Sequence, residues 1–150
     1  MQKLNQNNDK SLSIIIPIYN EEGNILEIYD RLINELEKTI KVKYEIIFVD
    51  DGSNDNSWEI INNLFKTSSN LKGVKFSRNF GHQNALKAGI DLSKGDAVIS
   101  LDGDLQQPPE LISKFYKYWI EGYDIVFGAR LNTKGVFRWK EFTSNIYYKI

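Results

Sequence analysis

Ala97-Val98-Ile99-Ser100-Leu101-Asp102-Gly103-Asp104 is the stretch from which the fold is read. A short apolar run passes straight into a pair of carboxylates. Such a run, followed by a loop, has the pattern of a strand buried on both faces of a parallel sheet. In an open α/β sheet ligands bind beyond the carboxyl ends of the strands, and that is where Asp102 and Asp104 fall. Residues i and i+2 of an extended segment project to the same side, so both carboxylates address one point, with the small Gly103 between them. Mg²⁺ and Mn²⁺ favour oxygen ligands, and Mg²⁺ commonly takes one or two carboxylates together with phosphate oxygens. The same residues would also suit capping of the helix that Pro108-Pro109-Glu110 opens. The stretch alone leaves metal and cap both open.

Strands and helices alternate on either side of it. Leu12 to Ile18 is a first strand, with Pro17 near its end, where a missing N–H costs least. Asn20 can cap a helix whose first turn holds Glu21 and Glu22 and whose apolar face is Ile25, Ile28, Leu32, Ile33 and Leu36. Tyr44 to Val49 is a second strand, ending in Asp50-Asp51-Gly52-Ser53 and followed by a helix with Trp58, Ile61, Leu64 and Phe65 on one side. Leu71 to Phe76 is a third strand. Ser77-Arg78-Asn79-Phe80-Gly81-His82-Gln83 leads into a helix carrying Ala85, Leu86, Ala88, Gly89 and Leu92, and Lys94-Gly95-Asp96 turns the chain back. Beyond the opening stretch, Pro109 suits a first helical position, Leu111, Ile112, Phe115 and Trp119 face inward, and Gly122 terminates. Tyr123 to Phe127 is a fifth strand, closed by Gly128-Ala129-Arg130. This order implies a mostly parallel sheet with right-handed crossovers, flanked by helices.

Composition bounds the function. At 150 residues, 41% of them hydrophobic, the chain can build one real core. A net charge of −1 without a basic stripe argues against nucleic acid as a partner. There is no cysteine, hence no disulfide framework and no thiolate metal site. Met1 to Lys10 is polar and lacks the apolar centre of a signal peptide. No apolar run approaches the roughly 18 residues of a membrane span. The expected organisation is a polar lead-in over 1–11, one domain over 12–135 and an amphipathic tail over 136–150. In the tail Trp139, Phe142, Ile146 and Ile150 share a helical face, which either lies on a membrane surface or packs on the sheet. An unpartnered face of this kind would also promote self-association into a homo-oligomer.

Polar clusters end three of the strands: Tyr19-Asn20-Glu21, Asp50-Asp51-Gly52-Ser53 and Asp102-Gly103-Asp104. In a doubly wound sheet these ends share one rim. Each cluster alone reads as a turn or a cap, and Arg130 alone as a solvated charge; the shared rim favours function. His82, the sole histidine, reads as a structural residue at a helix start. No G-x-G-x-x-G follows the first strand and no P-loop occurs. Carboxylates would repel a pyrophosphate unless a divalent cation reconciles them, and they accept hydrogen bonds from nucleobase N–H groups and ribose hydroxyls. A nucleoside diphosphate with a metal is the economical ligand.

The blocks Ile15-Ile16-Pro17-Ile18-Tyr19-Asn20-Glu21-Glu22, Val49-Asp50-Asp51-Gly52-Ser53, Ser77 to Gln83, Asp102-Gly103-Asp104-Leu105-Gln106-Gln107-Pro108-Pro109-Glu110-Leu111 and Gly122 to Arg130 occur in the order found in a known family. Over residues 12–150 the chain resembles inverting GT-A glycosyltransferases that use nucleotide-sugars, in the branch of dolichol-phosphate mannosyltransferases and bactoprenol glucosyltransferases. The resemblance implies a Rossmann-like GT-A fold, here without its C-terminal part. It implies metal-dependent transfer, with inversion, from a UDP- or GDP-sugar to a polyprenyl phosphate at the cytoplasmic face of a membrane. By the same resemblance Pro17, Tyr19, Glu21, Asp50, Asp51 and Asp102 line the donor pocket. Asp102, Asp104 and Gln106 hold Mg²⁺ or Mn²⁺, Arg130, Lys140 and Ser144 receive the acceptor phosphate, and Asp102, Asp104 and Arg130 carry catalysis. The chain departs from the family pattern at Gly103, where alanine is usual, and at Glu141, where basic residues are common. Transfer to a glycan hydroxyl and a non-catalytic nucleotide-sugar-binding module are the alternatives. A phosphate acceptor is already an anion, whereas a hydroxyl would need a carboxylate base, and no Glu-Asp pair stands out in the 46 residues after Asp104.

Overall fold

Residues 10–128 are described by the structure, a computed structural model. Strand and helix alternate along them: β1 (Ser11–Ile18), α1 (Ile25–Ile33), β2 (Lys43–Asp50), α2 (Ser57–Thr67), β3 (Leu71–Lys75), α3 (His82–Leu92), β4 (Ala97–Ser100) and α4 (Leu111–Ile120). Helix α1 runs on into a wider, π-type stretch over Asn34–Ile40, which ends where Lys41 turns left-handed and donates its N–H to Leu36 O at 2.8 Å. Every strand pair is parallel, in the order β3-β2-β1-β4. This is the parallel α/β architecture expected from the alternation.

The period-2 alternation of side chains divides the core. Ile14, Ile16, Ile18, Ile46 and Phe48 face one side, where they pack with Ile25, Ile28, Leu32 and Leu36, with Ile61 of α2 and with Ile112 of α4. Ile47 and Val49 face the other, against Ala85 of α3. Helix α3 approaches closely because position 89 is glycine: a Cβ there would stand 2.3 Å from Ile15 Cγ2. Sandwiched between layers, β1 is buried at every position from Leu12 to Ile18, which is why its sequence is apolar there except at Ser13, whose hydroxyl donates to Glu45. Ile15 O accepts from Leu101 N and Ile18 O from Asp51 N, so alternate residues of β1 address β4 and β2. Pro17 belongs to the set that addresses β4, and β4 has ended by then, with Ser100 opposite Ile15. Its missing N–H therefore leaves no ladder partner unsatisfied.

Several expectations are corrected. The opening stretch is half-buried rather than buried on both faces: Val98 is 42% exposed, and Ser100 is exposed too. Both lie on the face of α3, which packs mainly on β1 and β2. Tyr123–Phe127 forms no strand; Ile125 and Phe127 are each 82% exposed. A strand requires an edge to pair with, and this segment shares with β4 and α4 a cavity of about 440 Å³ instead of a ladder. Asn20 does not cap α1, which begins only at Ile25; its φ is +55° and its side chain serves another loop. Pro109 precedes α4, its carbonyl accepting from Ile112 N at 3.1 Å. Phe65 and Leu92 are exposed, at the solvent side of their helices. Gly122 does terminate α4, at φ +105°, with its N–H on Trp119 O. Of the lead-in expected over 1–11, residues 1–9 lie outside the described residues and Ser11 already belongs to β1; the tail over 136–150 also lies outside them. No helix of the described residues is long and apolar enough to cross a membrane.

Candidate functional site

The chain leaves β1 for β2 and β3 on one side and returns to β4 on the other. The carboxyl ends of β1 and β4 therefore flank a topological switch point, the place where open α/β sheets bind ligands. A cleft of about 510 Å³ opens there. Pro17, Tyr19 and Glu21 line it from the end of β1, Asp51 from the end of β2, Asn79 and His82 from the approach to α3, and Asp102, Gly103 and Asp104 from the end of β4.

Local chemistry holds each wall. The loops after β1 and β2 are zipped together: Asn20 N donates to Ser53 Oγ at 2.9 Å, Asn54 N to Asn20 Oδ1 at 2.8 Å, Glu21 N to Ser57 Oγ at 2.9 Å and Asn56 N to Glu22 Oε2 at 2.9 Å. Asp55 closes the same seam, accepting from Glu22 N and from Ser57 N. Partial burial pushes its carboxyl up, but the Ser57 hydroxyl and these amides outweigh that and hold it below the usual range. Asp51 ties the next wall in place, accepting from Phe80 N at 2.7 Å and Gly81 N at 2.9 Å. Gly52 permits this approach: its φ is +74°, and a Cβ there would stand 2.3 Å from the Arg78 carbonyl carbon.

Asp50 is not brought to the cleft. It is fully buried, one oxygen accepting from Ser53 N at 3.0 Å and the other without a partner.

The helix-cap reading of Asp102 and Asp104 is overturned. Asp104 Oδ1 accepts from Gln106 N at 3.0 Å and Asp102 Oδ2 from Gln107 Nε2 at 2.7 Å, well before α4 begins at Leu111. Gly103 sits tightly between them, since an added Cβ would meet Ile18 Cδ1 at 2.6 Å and Pro17 O at 3.0 Å. Gln106 lines the cavity beside β4 rather than the cleft. Arg130, Lys140 and Ser144 lie outside the described residues.

Sequence reasoning gave Gln107 and Asn79 no role of their own and read His82 as a structural residue at a helix start, yet Asn79 and His82 line the cleft and Gln107 bonds Asp102. The His82 ring reaches within 3.7 Å of Asp102, Nε2 to Oδ1, and its side chain is half exposed. The signal was available: Ser77–Gln83 also follows a strand, so it belongs to the same rim.

The cleft is acidic. Glu21, Asp51, Asp102 and Asp104 line it, and His82 is the one lining side chain that can carry positive charge. Among the described residues no three His, Cys, Asp or Glu side chains form a ready-made metal cage. Asp102 and Asp104 supply hard oxygen donors only. That set fits Mg²⁺ or Mn²⁺ whose coordination is completed by phosphate oxygens and water.

Comparison with known proteins places this geometry. The sequence profile of Glycosyl transferase family 2 matches residues 13–150. An uncharacterized glycosyltransferase of Synechocystis is 45% identical over 139 residues, covering 93% of this chain and 43% of that one. A bactoprenol glucosyl transferase of Shigella phage SfX is 37% identical over 139 residues, 93% of this chain and 45% of that one. The chain thus spans less than half the length of these relatives. Among solved structures, the mannosyltransferase PcManGT of Pyrobaculum calidifontis, in complex with GDP-Man and Mn²⁺, superposes with a TM-score of 0.60 at 23% identity, over 73% of this chain and 32% of that one. That likeness establishes a shared fold.

Proposed function

The chain belongs to glycosyl transferase family 2, and on that premise we propose that it forms the donor-binding part of an enzyme that transfers a sugar from a UDP- or GDP-linked donor to a polyprenyl phosphate. The observation that carries this reading is the acidic cleft at the β1–β4 switch point, where Asp51, Asp102 and Asp104 converge from separate strand ends. The name of the bactoprenol glucosyl transferase relative supports the lipid acceptor.

In this reading Pro17, Tyr19, Glu21 and Asp51 bind the nucleoside. Asp51 suits that task because two backbone amides already fix its carboxylate, whose remaining lone pairs accept from a nucleobase N–H or a ribose hydroxyl. Asp50 supports the loop from behind. Asp102 and Asp104 would hold Mg²⁺ or Mn²⁺, which when bound offsets negative charge on the diphosphate. Gln107 restrains one oxygen of Asp102 and leaves the other for ligands. An acceptor phosphate oxygen attacks the anomeric carbon from the face opposite the diphosphate. The bond from that carbon to the diphosphate oxygen breaks, its electron pair leaves with the nucleoside diphosphate, and the configuration inverts. The nucleophile is an anion already, so no base is needed to remove a proton. Arg130, Lys140 and Ser144 are assigned to the acceptor phosphate; a lipid acceptor calls for a membrane surface, and the cytoplasmic face is the one proposed.

The test uses the whole protein with undecaprenyl phosphate and, separately, UDP-glucose, UDP-N-acetylglucosamine and GDP-mannose in the presence of Mn²⁺ or Mg²⁺. A lipid-linked sugar with one of them is the expected product. Absence of product with all three overturns the reading.

A further inference from the structure

We infer that His82 contacts the diphosphate of the donor, giving a ring N–H to a phosphate oxygen beside Asp102; the inference rests on the donor reading above and adds a positioning residue to it. The first support is what the ring does not do. It stands at the start of α3, yet the helix has no side-chain cap bond, and no described residue hydrogen-bonds the ring. Its nearest charged neighbour, Asp102 Oδ1, is 3.7 Å away, beyond hydrogen-bond reach. A ring that projects into a cleft and serves neither core nor cap has its polar edge free for a ligand.

The second support is the balance of donors and acceptors. A diphosphate presents only acceptor oxygens, and the cleft presents mostly acceptors too: Glu21, Asp51, Asp102 and Asp104, with no Lys or Arg among the lining residues. Side-chain donors there are the Tyr19 hydroxyl, the Asn79 amide and the His82 ring. Of these, the His82 ring lies 3.7 Å from Asp102, one of the two aspartates assigned to the phosphate end of the cleft. The contact does not depend on protonation, because neutral imidazole retains one N–H.

The third support is that the position is held. Asp51 clamps the Phe80 and Gly81 amides, Gly81 adopts φ +96°, and its carbonyl accepts from Asn84 N at 2.9 Å and Ala85 N at 3.2 Å. The ring thus enters the cleft from an anchored turn.

Titration calorimetry on the whole protein with Mn²⁺ tests this, using UDP and uridine, and GDP and guanosine. His82→Ala should weaken the diphosphate about tenfold, the loss of one hydrogen bond to a charged group, and leave the nucleoside unchanged. His82→Gln, which restores an N–H donor, should recover most of the loss. Thermal unfolding of both variants should match the wild type, since the side chain is half exposed. An equal effect on nucleoside and diphosphate, or none on either, overturns the inference while the donor reading stands. A wild type that binds no nucleotide at all overturns the donor reading itself.

Discussion

Replacing Gly52 with alanine should loosen the wall that carries Asn79 and His82. An added Cβ would stand 2.3 Å from Arg78 C, 2.6 Å from Asn79 N and 2.7 Å from Arg78 Cα. All are backbone atoms, so no change of rotamer relieves the collision. To bring the shortest contact to 3.0 Å the two loops must part by about 0.7 Å. The bonds from Phe80 N and Gly81 N to Asp51, now 2.7 and 2.9 Å, lie across that same seam and would stretch. A hydrogen bond to a charged acceptor is worth about 1.5–3 kcal/mol. The left-handed φ of +74° adds about 1–2 kcal/mol for a residue with a Cβ. With partial relaxation the net loss should be about 2–5 kcal/mol, a fall of roughly 4–20 °C in Tm for a chain of this size. Urea and thermal unfolding measure it. Two controls separate the causes. Gly122→Ala carries a positive φ of +105° but meets no atom within 4 Å, so it should lose only the strain. Gly23→Ala meets nothing and has no positive φ, so it should be neutral or slightly stabilising. If Gly52→Ala proves no less stable than Gly122→Ala, the loops yield freely and the contact does not anchor the cleft.

Asp104→Ala should abolish metal-dependent nucleotide binding while circular dichroism shows an intact fold; unchanged Mn²⁺ dependence would refute its role as a ligand. Arg130→Ala in the whole protein should raise the KM for polyprenyl phosphate more than it weakens the donor, and equal losses would move Arg130 out of the acceptor site. At the amino end of the sheet, Glu45 accepts from Ser13 Oγ and Lys94 N at 2.6 Å each and pairs with Lys72. Burial pushes its carboxyl up, but Lys72, Ser13 and the Lys94 amide outweigh that and hold it below 4.5. A pKa lower in the folded than in the unfolded chain means that stabilisation is complete above the unfolded value and fades as pH falls through the folded one. Glu45→Gln should therefore be less stable than the wild type near neutral pH, with the gap closing below about pH 4.5 in urea midpoints; a gap independent of pH would refute the linkage.

Much of the fold was legible because it is written in local pattern. Ile14-Ile15-Ile16 announces a strand covered on both faces, since each alternate side chain needs an apolar neighbour. The recurring helix between strands announces parallel pairing. That Asp51, Asp102 and Asp104 line the cleft was legible because a strand end in such a sheet is a position on the rim. The choice between Asp50 and Asp51 was not legible. Neighbouring residues point opposite ways, and which one meets the cleft depends on the amides of Phe80 and Gly81, about 30 residues away. The placement of Gln106 beside β4 while Gln107 meets Asp102 turns likewise on the path of one loop, with Leu105 at φ +58°.

By itself the sequence determined an α/β chain with acidic strand ends, because hydrophobic periodicity and turn chemistry act over a few residues and can be read along the chain. Only the tertiary structure decided what faces what. The half-exposure of β4 follows from α3 lying over β1 and β2. The failure of Tyr123–Phe127 to form a strand follows from pairing, which needs an edge in register as well as an alternating pattern. The arrival of His82 beside Asp102 follows from the crossover of α3, which leaves β3 at one edge of the sheet and packs back over β2 and β1, the neighbour of β4. Those outcomes depend on contacts between residues distant in sequence, and local propensity carries no information about which distant partner will be met.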